Sequence, residues 1–112
     1  MGAGAVQDLR VGCGEEIDAL TLLCKAMADG LRLEILRLLS TESFGVLEIS
    51  RIFGIRQSAL SHHLKILATA GLLTTRREGN SIFYRRPLIG ADDAHRDFKQ
   101  SAFAAIDRLP LR

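Results

Sequence analysis

Tryptophan is missing from this 112-residue chain, and aromatic residues make up only 5% of it. The interior must therefore be filled by Leu, Ile and Ala, side chains that suit packed helices. Two cysteines, Cys13 and Cys24, are too few and too close in sequence for a disulfide scaffold, and they read as thiols in a reducing compartment. No apolar run approaches the roughly 20 residues that cross a bilayer. The first dozen residues also lack the basic start and apolar stretch of a signal peptide, so a cytoplasmic location and no membrane partner are expected. A phosphate loop, a paired-carboxylate pattern and a nucleophile with its base are all missing, which argues against an enzyme.

With 47% hydrophobic and 25% charged residues, what is present has ordinary globular composition, and the length suits one domain. A net charge of +2 selects no partner, but its distribution is uneven. Residues 1–30 carry a net −3, residues 31–90 a net +5, and residues 91–112 balance. A positive middle between acidic and neutral ends is the pattern of a phosphate-binding face.

Gly and Ala dominate residues 1–14 without periodicity, which predicts a flexible N-terminal tail before a folded domain over 15–112. Ile17, Leu20, Leu23, Cys24 and Met27 then recur at three- and four-residue steps, predicting a helix over 16–27. After Gly30, the residues Leu31, Ile35, Leu38 and Leu39 repeat that period until Ser40 and Thr41. Val46, Ile49, Ile52 and Phe53 form a short third stripe, and Gly54 stands where a left-handed residue closes a helix. A fourth helix starts near Gln57, with Leu60, Leu64 and Leu67 on one face and Gly71 as its stop. Residues 72–87 favour a hairpin through Thr74, Thr75, Ile82, Phe83 and Tyr84 around Gly79-Asn80. Residues 91–109 return to helix, with Phe98, Ala102, Ala105, Ile106 and Leu109 on one face and Pro110 at the end. The fold class is mainly α with a β-hairpin, four helices followed by a wing and a fifth helix: a winged helix-turn-helix.

In that arrangement the third stripe, through Ile49, Ile52 and Phe53, packs on Leu60, Leu64 and Leu67. The opposite side of the fourth helix is left exposed with Gln57, Ser58, Ser61, His62 and Lys65, preceded by Arg56. These groups hydrogen-bond base edges or phosphates, a carboxylate there would be repelled, and residues 56 to 77 contain neither Asp nor Glu. The hairpin adds Arg76, Arg77, Arg85 and Arg86, with Asn80 at its turn and Glu78 as the acidic exception. A basic hairpin alone equally well guards a strand edge; directly after an acid-free helix it reads as a DNA-contacting wing. The expected partner is a double-stranded DNA operator. Two other readings remain: the DNA-binding portion of a longer regulator that senses its signal elsewhere, and a protein-interaction winged helix.

Four segments, Ala26-Met-Ala-Asp-Gly-Leu-Arg-Leu-Glu-Ile-Leu, Gln57-Ser-Ala-Leu-Ser-His-His-Leu-Lys-Ile-Leu, Ala70-Gly-Leu-Leu and Arg77-Glu-Gly-Asn-Ser-Ile-Phe-Tyr, resemble the ArsR/SmtB family of bacterial repressors over roughly residues 20 to 86. The resemblance implies a homodimer paired through its first and last helices, with each fourth helix in a major groove and release by a small signal. It places Gln57 and Ser61 against the operator and makes His63 an anchor of its helix. The Cys-x-Cys pair of many metal-sensing members has no counterpart in Val46-Leu-Glu-Ile-Ser. Asp93-Ala-His95 resembles the first half of a last-helix metal site, but Ile106 and Leu109 stand at the later positions. Adjacent His62 and His63 point about 100° apart on a helix and do not chelate together. No cofactor is therefore assigned. Cys13 and Cys24 remain candidates for redox or soft-metal sensing, with a metal ion as the cofactor in the second case; Cys24 also reads as a small buried hydrophobe.

Overall fold

Each stripe of apolar residues between positions 16 and 71 becomes a helix, and the capping chemistry shows why each begins and ends where it does. The computed structural model describes residues 3–110, with side chains from residue 14 onward. Helix α1 spans Ala3–Met27, α2 Gly30–Leu38, α3 Val46–Phe53 and α4 Gln57–Thr69. A short strand β1 at Phe44–Gly45 precedes α3, the hairpin is β2 Thr74–Glu78 with β3 Ser81–Arg85, and α5 covers Arg96–Asp107. The backbone is helical from Ala3, so α1 starts well before the expected residue 16, within the segment read as a tail. The side chain of Cys13 lies outside the described residues.

Asp29 caps α2, its carboxylate accepting from the Arg32 N–H at 3.0 Å. At α3, Glu48 reaches back to accept from the Gly45 N–H at 3.0 Å, half of a capping box that glycine cannot complete. Gly54 ends α3 at φ 65, the left-handed conformation expected for it. The turn into α4 is then fixed from both sides. The Ile55 N–H donates to the Ser50 carbonyl at 3.2 Å, and the Ser50 hydroxyl donates to the Ile55 carbonyl at 2.6 Å. After α4, Gly71 at φ 80 lets the Leu72 N–H reach the Leu67 carbonyl at 2.9 Å and drops Leu72 and Leu73 into the core.

The core gathers Leu23 and Ala26 of α1, Ile35, Leu36 and Leu39 around α2, Ile49 of α3, Leu60, Leu64 and Leu67 of α4, and Phe103 and Ile106 of α5. Burial of each large apolar side chain contributes about 1.5–3 kcal/mol before the entropy of ordering is charged against it. Three expectations about this core need correction. Ile52 does not pack inward but is 52% exposed, because α3 is only two turns long and turns one stripe, Ile49 with Phe53, toward α4. The inner face of α5 is Phe103 and Ile106, while Phe98 and Leu109 are exposed and Ala105 faces outward. Cys24 is exposed rather than buried, since Leu23, Ala26 and Met27 occupy the inward side of α1.

α5 also starts at Arg96 instead of residue 91. Asp93 is the cause: its carboxylate accepts from the His95 N–H at 2.8 Å and from Lys99 Nζ at 2.7 Å, holding residues 90–95 in turns. The half-motif Asp93-Ala-His95 is thus used locally to cap and anchor α5. Among the described residues no cluster of His, Cys, Asp and Glu is arranged to hold a metal ion. The three-stranded sheet has the order β1-β3-β2, all antiparallel, with Phe44 opposite Tyr84 and Gly45 opposite Phe83. Periodicity does not reveal β1, which is only two residues long.

Arg86 leaves the wing group altogether. Its guanidinium donates to both oxygens of Asp107, at 2.6 and 3.0 Å, and to the Leu36 carbonyl at 3.2 Å, while lying 4.2 Å from the centre of the Phe103 ring. The base of the hairpin is thereby bolted to α2 and α5. The hydrogen bond from Arg86 holds the Asp107 carboxyl below the usual carboxylate range.

Candidate nucleic-acid interface

On α4 the outward side chains are Gln57, Ser58, Ser61, His62 and Lys65, all exposed. At about 100° per residue they fall within an arc of about 140°, away from the stripe of Leu60, Leu64 and Leu67. The ridge is polar, carries one formal positive charge and no carboxylate, and is wide enough to line a major groove. Its start breaks a local rule. Arg56 occupies the N-cap, where Ser, Thr, Asp or Asn would stabilise the helix, and makes no capping hydrogen bond. The first N–H groups of α4 and the exposed Arg56 thus stand at the same end of the helix, a combination suited to a phosphate.

His63 is half-buried on the far side of α4 from the ridge, flanking Leu67, and its Nδ1 lies 3.1 Å from Nη1 of Arg32. Arg32 was not singled out by sequence. The only trace is its place three residues after the capping Asp29. Its guanidinium also donates to the Ala26 carbonyl at 2.6 Å and the Lys25 carbonyl at 3.0 Å, and Asp29 stands 3.9 Å away. Arg32, by hydrogen bond and by charge, keeps the Asp29 carboxyl low.

Four residues after α4 the chain enters β2, so the wing springs directly from the end of the ridge. Gly79 at φ 60 makes the two-residue turn, and Asn80 has no positive φ, the pattern of a type II′ turn with Gly first. The register divides the arginines. Arg76 faces Phe83 and Thr74 faces Arg85, so Arg76 and Arg85 share one face of the ribbon, while Arg77, opposite Ile82, lies on the other with Tyr84. Arg76 pairs with Glu78 at 3.1 Å, lies 5.5 Å from the Phe83 ring centre, and with Arg85 borders a cleft of about 650 Å³ toward Phe103 and Asp107. A ribbon lowered tip-first into a groove presents both faces to its walls, Arg77 on one side, Arg85 on the other, and Asn80 at the tip.

An exposed acid-free helix set on a three-helix core, followed at once by an arginine-bearing β-ribbon, defines a winged helix-turn-helix domain. The family model described as "Bacterial regulatory protein, arsR family" matches residues 29–75, from the cap of α2 to the start of the wing. Transcriptional activator HlyU of Vibrio cholerae is 44% identical over 63 residues, 56% of this chain and 58% of the relative. The arsenical resistance operon repressor of Staphylococcus aureus is 39% identical over 66 residues, 59% of this chain and 64% of the relative. The chain thus spans about three fifths of the length of these curated relatives. Among solved structures, a homodimeric winged helix-turn-helix DNA-binding domain from Mycobacterium bovis superposes with a TM-score of 0.67 at 31% identity, covering 83% of this chain and 79% of that one. The chain belongs to the ArsR family. The segment that the family model matches contains the Asp29–Arg32 cap, the turn at Gly54 and all of α4.

Proposed function

We propose that this chain is a sequence-specific double-stranded DNA-binding protein that acts as a cytoplasmic homodimer and represses transcription by covering its operator. The observation that carries the reading is the α4 ridge, five exposed polar or basic side chains with no carboxylate from residue 56 to residue 77. Gln57 and Ser61 read base edges, Arg56, Ser58, His62 and Lys65 position the helix on phosphates, and Arg76, Arg77, Asn80 and Arg85 carry the wing contacts. Pairing of two protomers is supported by α1, on which Ile17, Leu20 and Leu22 remain exposed in the protomer although the same helix buries Leu23 and Ala26. No helix among the described residues is long and apolar enough to cross a membrane.

Duplex binding across a salt series tests the proposal. Affinity should fall steeply with salt while a preference for one sequence over scrambled duplex persists. A salt-insensitive interaction, or one with no sequence preference, would count against it. Redox sensing rests on Cys24 among the described thiols, exposed on α1, and on Cys13 upstream. Titrating operator affinity with oxidant in the parent and in Cys24→Ser tests it, and identical responses eliminate Cys24 as the sensor.

A further inference from the structure

We propose that Arg32 is a positioning residue for DNA reading: from the last carbonyls of α1 it holds His63, and through it the pose of α4, and it does so only while His63 carries no proton on Nδ1. The inference rests on the DNA-binding reading above. Arg32 has no acceptor, so in the 3.1 Å contact its Nη1–H donates and His63 Nδ1 accepts, which places the ring proton on Nε2. The guanidinium itself is not free to follow a moving helix. Its Nε is held by the Ala26 carbonyl at 2.6 Å and its Nη2 by the Lys25 carbonyl at 3.0 Å, and its side chain is only 12% exposed. Three directions of one planar fork thus join the C-terminal end of α1, the first turn of α2 and the middle of α4.

The consequence concerns α4 rather than the core. Leu60, Leu64 and Leu67 bury one side of the helix and set its distance from the body, but the hydrophobic effect that holds them is non-directional. The Arg32–His63 bond grips α4 on its packed side, next to Leu67, and adds a directional constraint on the rotation that points the opposite, polar ridge outward. A proton on Nδ1 would replace an acceptor by a second cation against Arg32. The other charged groups in this corner are Asp29, 3.9 Å from the Arg32 guanidinium, Lys25, which supplies its backbone carbonyl to the fork, and the neighbouring His62 on α4. Protonating the exposed His62 has the opposite sign, since it adds a positive charge facing phosphate.

The test compares the full chain with His63→Phe, which keeps a ring and removes the acceptor, His63→Asn, which restores an acceptor near Nδ1, and Arg32→Lys. All are measured against a preferred and a scrambled duplex, with folding followed by near-ultraviolet circular dichroism. His63→Phe and Arg32→Lys should bind the preferred duplex about tenfold more weakly with less than threefold change on scrambled duplex, and His63→Asn should recover most of the loss. Nitrogen NMR of the parent should show an Nε2–H tautomer for His63. A folded His63→Phe with parental preference, or an Nδ1–H tautomer in the parent, overturns the inference. If the parent shows no preference for any duplex, the DNA-binding reading fails first, a distinct outcome visible before any variant is made.

Discussion

Replacing Arg86 by Ala separates an arginine that holds the wing from those that serve its surface. The side chain is 14% exposed and donates to both Asp107 oxygens and to the Leu36 carbonyl, in the last turn of α2, while covering the Phe103 ring. Hydrogen bonds to a charged group contribute about 1.5–3 kcal/mol when well shielded, and Asp107, 37% exposed, calls for a discount toward the lower end. Stacking on Phe103 adds about 0.5–1 kcal/mol, and the Leu36 carbonyl left facing the gap loses a partner. A total loss of about 2–3 kcal/mol follows, a drop in melting temperature of roughly 8–15 °C for a domain of this size. Urea unfolding at fixed protein concentration measures it, since a dimer's stability depends on concentration. The difference between parent and variant has a pH signature. Asp107 is held below its ordinary value in the folded protein, so its contribution is complete above the unfolded carboxyl value and disappears as pH falls through the folded one. The stability gap must therefore narrow in acid. A variant within about 0.5 kcal/mol of the parent, or a gap that widens in acid, would refute the assignment of Arg86 as the bolt of the wing.

Gly54→Ala should cost about 1–2 kcal/mol in urea unfolding through backbone strain alone, because φ is 65 and no atom crowds the new methyl; Gly30→Ala, equally uncrowded but on a helix, should be neutral or stabilising by up to about 1 kcal/mol. Gln57→Ala should erode the preference among duplexes by about 1–3 kcal/mol, whereas Arg77→Ala should weaken all duplexes alike and flatten the salt dependence by about one unit of slope. The reverse pattern, read by fluorescence anisotropy, would exchange the roles of ridge and wing. Leu20→Glu, at a position exposed in the protomer, should leave the fold intact and raise the dimer dissociation constant at least tenfold by sedimentation.

Much of this molecule is legible in its sequence because its signals are periodic or punctuated. Leu60, Leu64 and Leu67 mark one stripe, Gly54 and Gly71 stop their helices by left-handed conformations, and Gly79 turns the hairpin, all visible as residue types at fixed spacing. The exposed polar ridge of α4 follows from the same stripe by elimination. Contacts between side chains remote in sequence are another matter. Arg86 and Arg85 are neighbours of identical type and line the same cleft, yet it is Arg86 that is bonded to Asp107 and to the Leu36 carbonyl, a difference set by where α2 and α5 lie. Arg32 and His63 are 31 residues apart, and nothing in their local spacing announces the contact. Asp93-Ala-His95 shows the opposite hazard: a metal-like spacing whose carboxylate is consumed by Lys99 and a backbone N–H. The same Asp93 contacts delay the start of α5 to Arg96, past the residue 91 that periodicity predicts.

Selection of bound sites from a random duplex pool tests most directly whether α4 enters a DNA groove from each of two symmetric protomers. The enriched sites should be inverted repeats whose half-site centres lie about one helical turn, or a whole multiple of it, apart. Enrichment should collapse when Gln57 and Ser61 are both changed to Ala. A pool that yields no motif, or a motif that survives the loss of both side chains unchanged, would contradict the placement of α4 as the reading element.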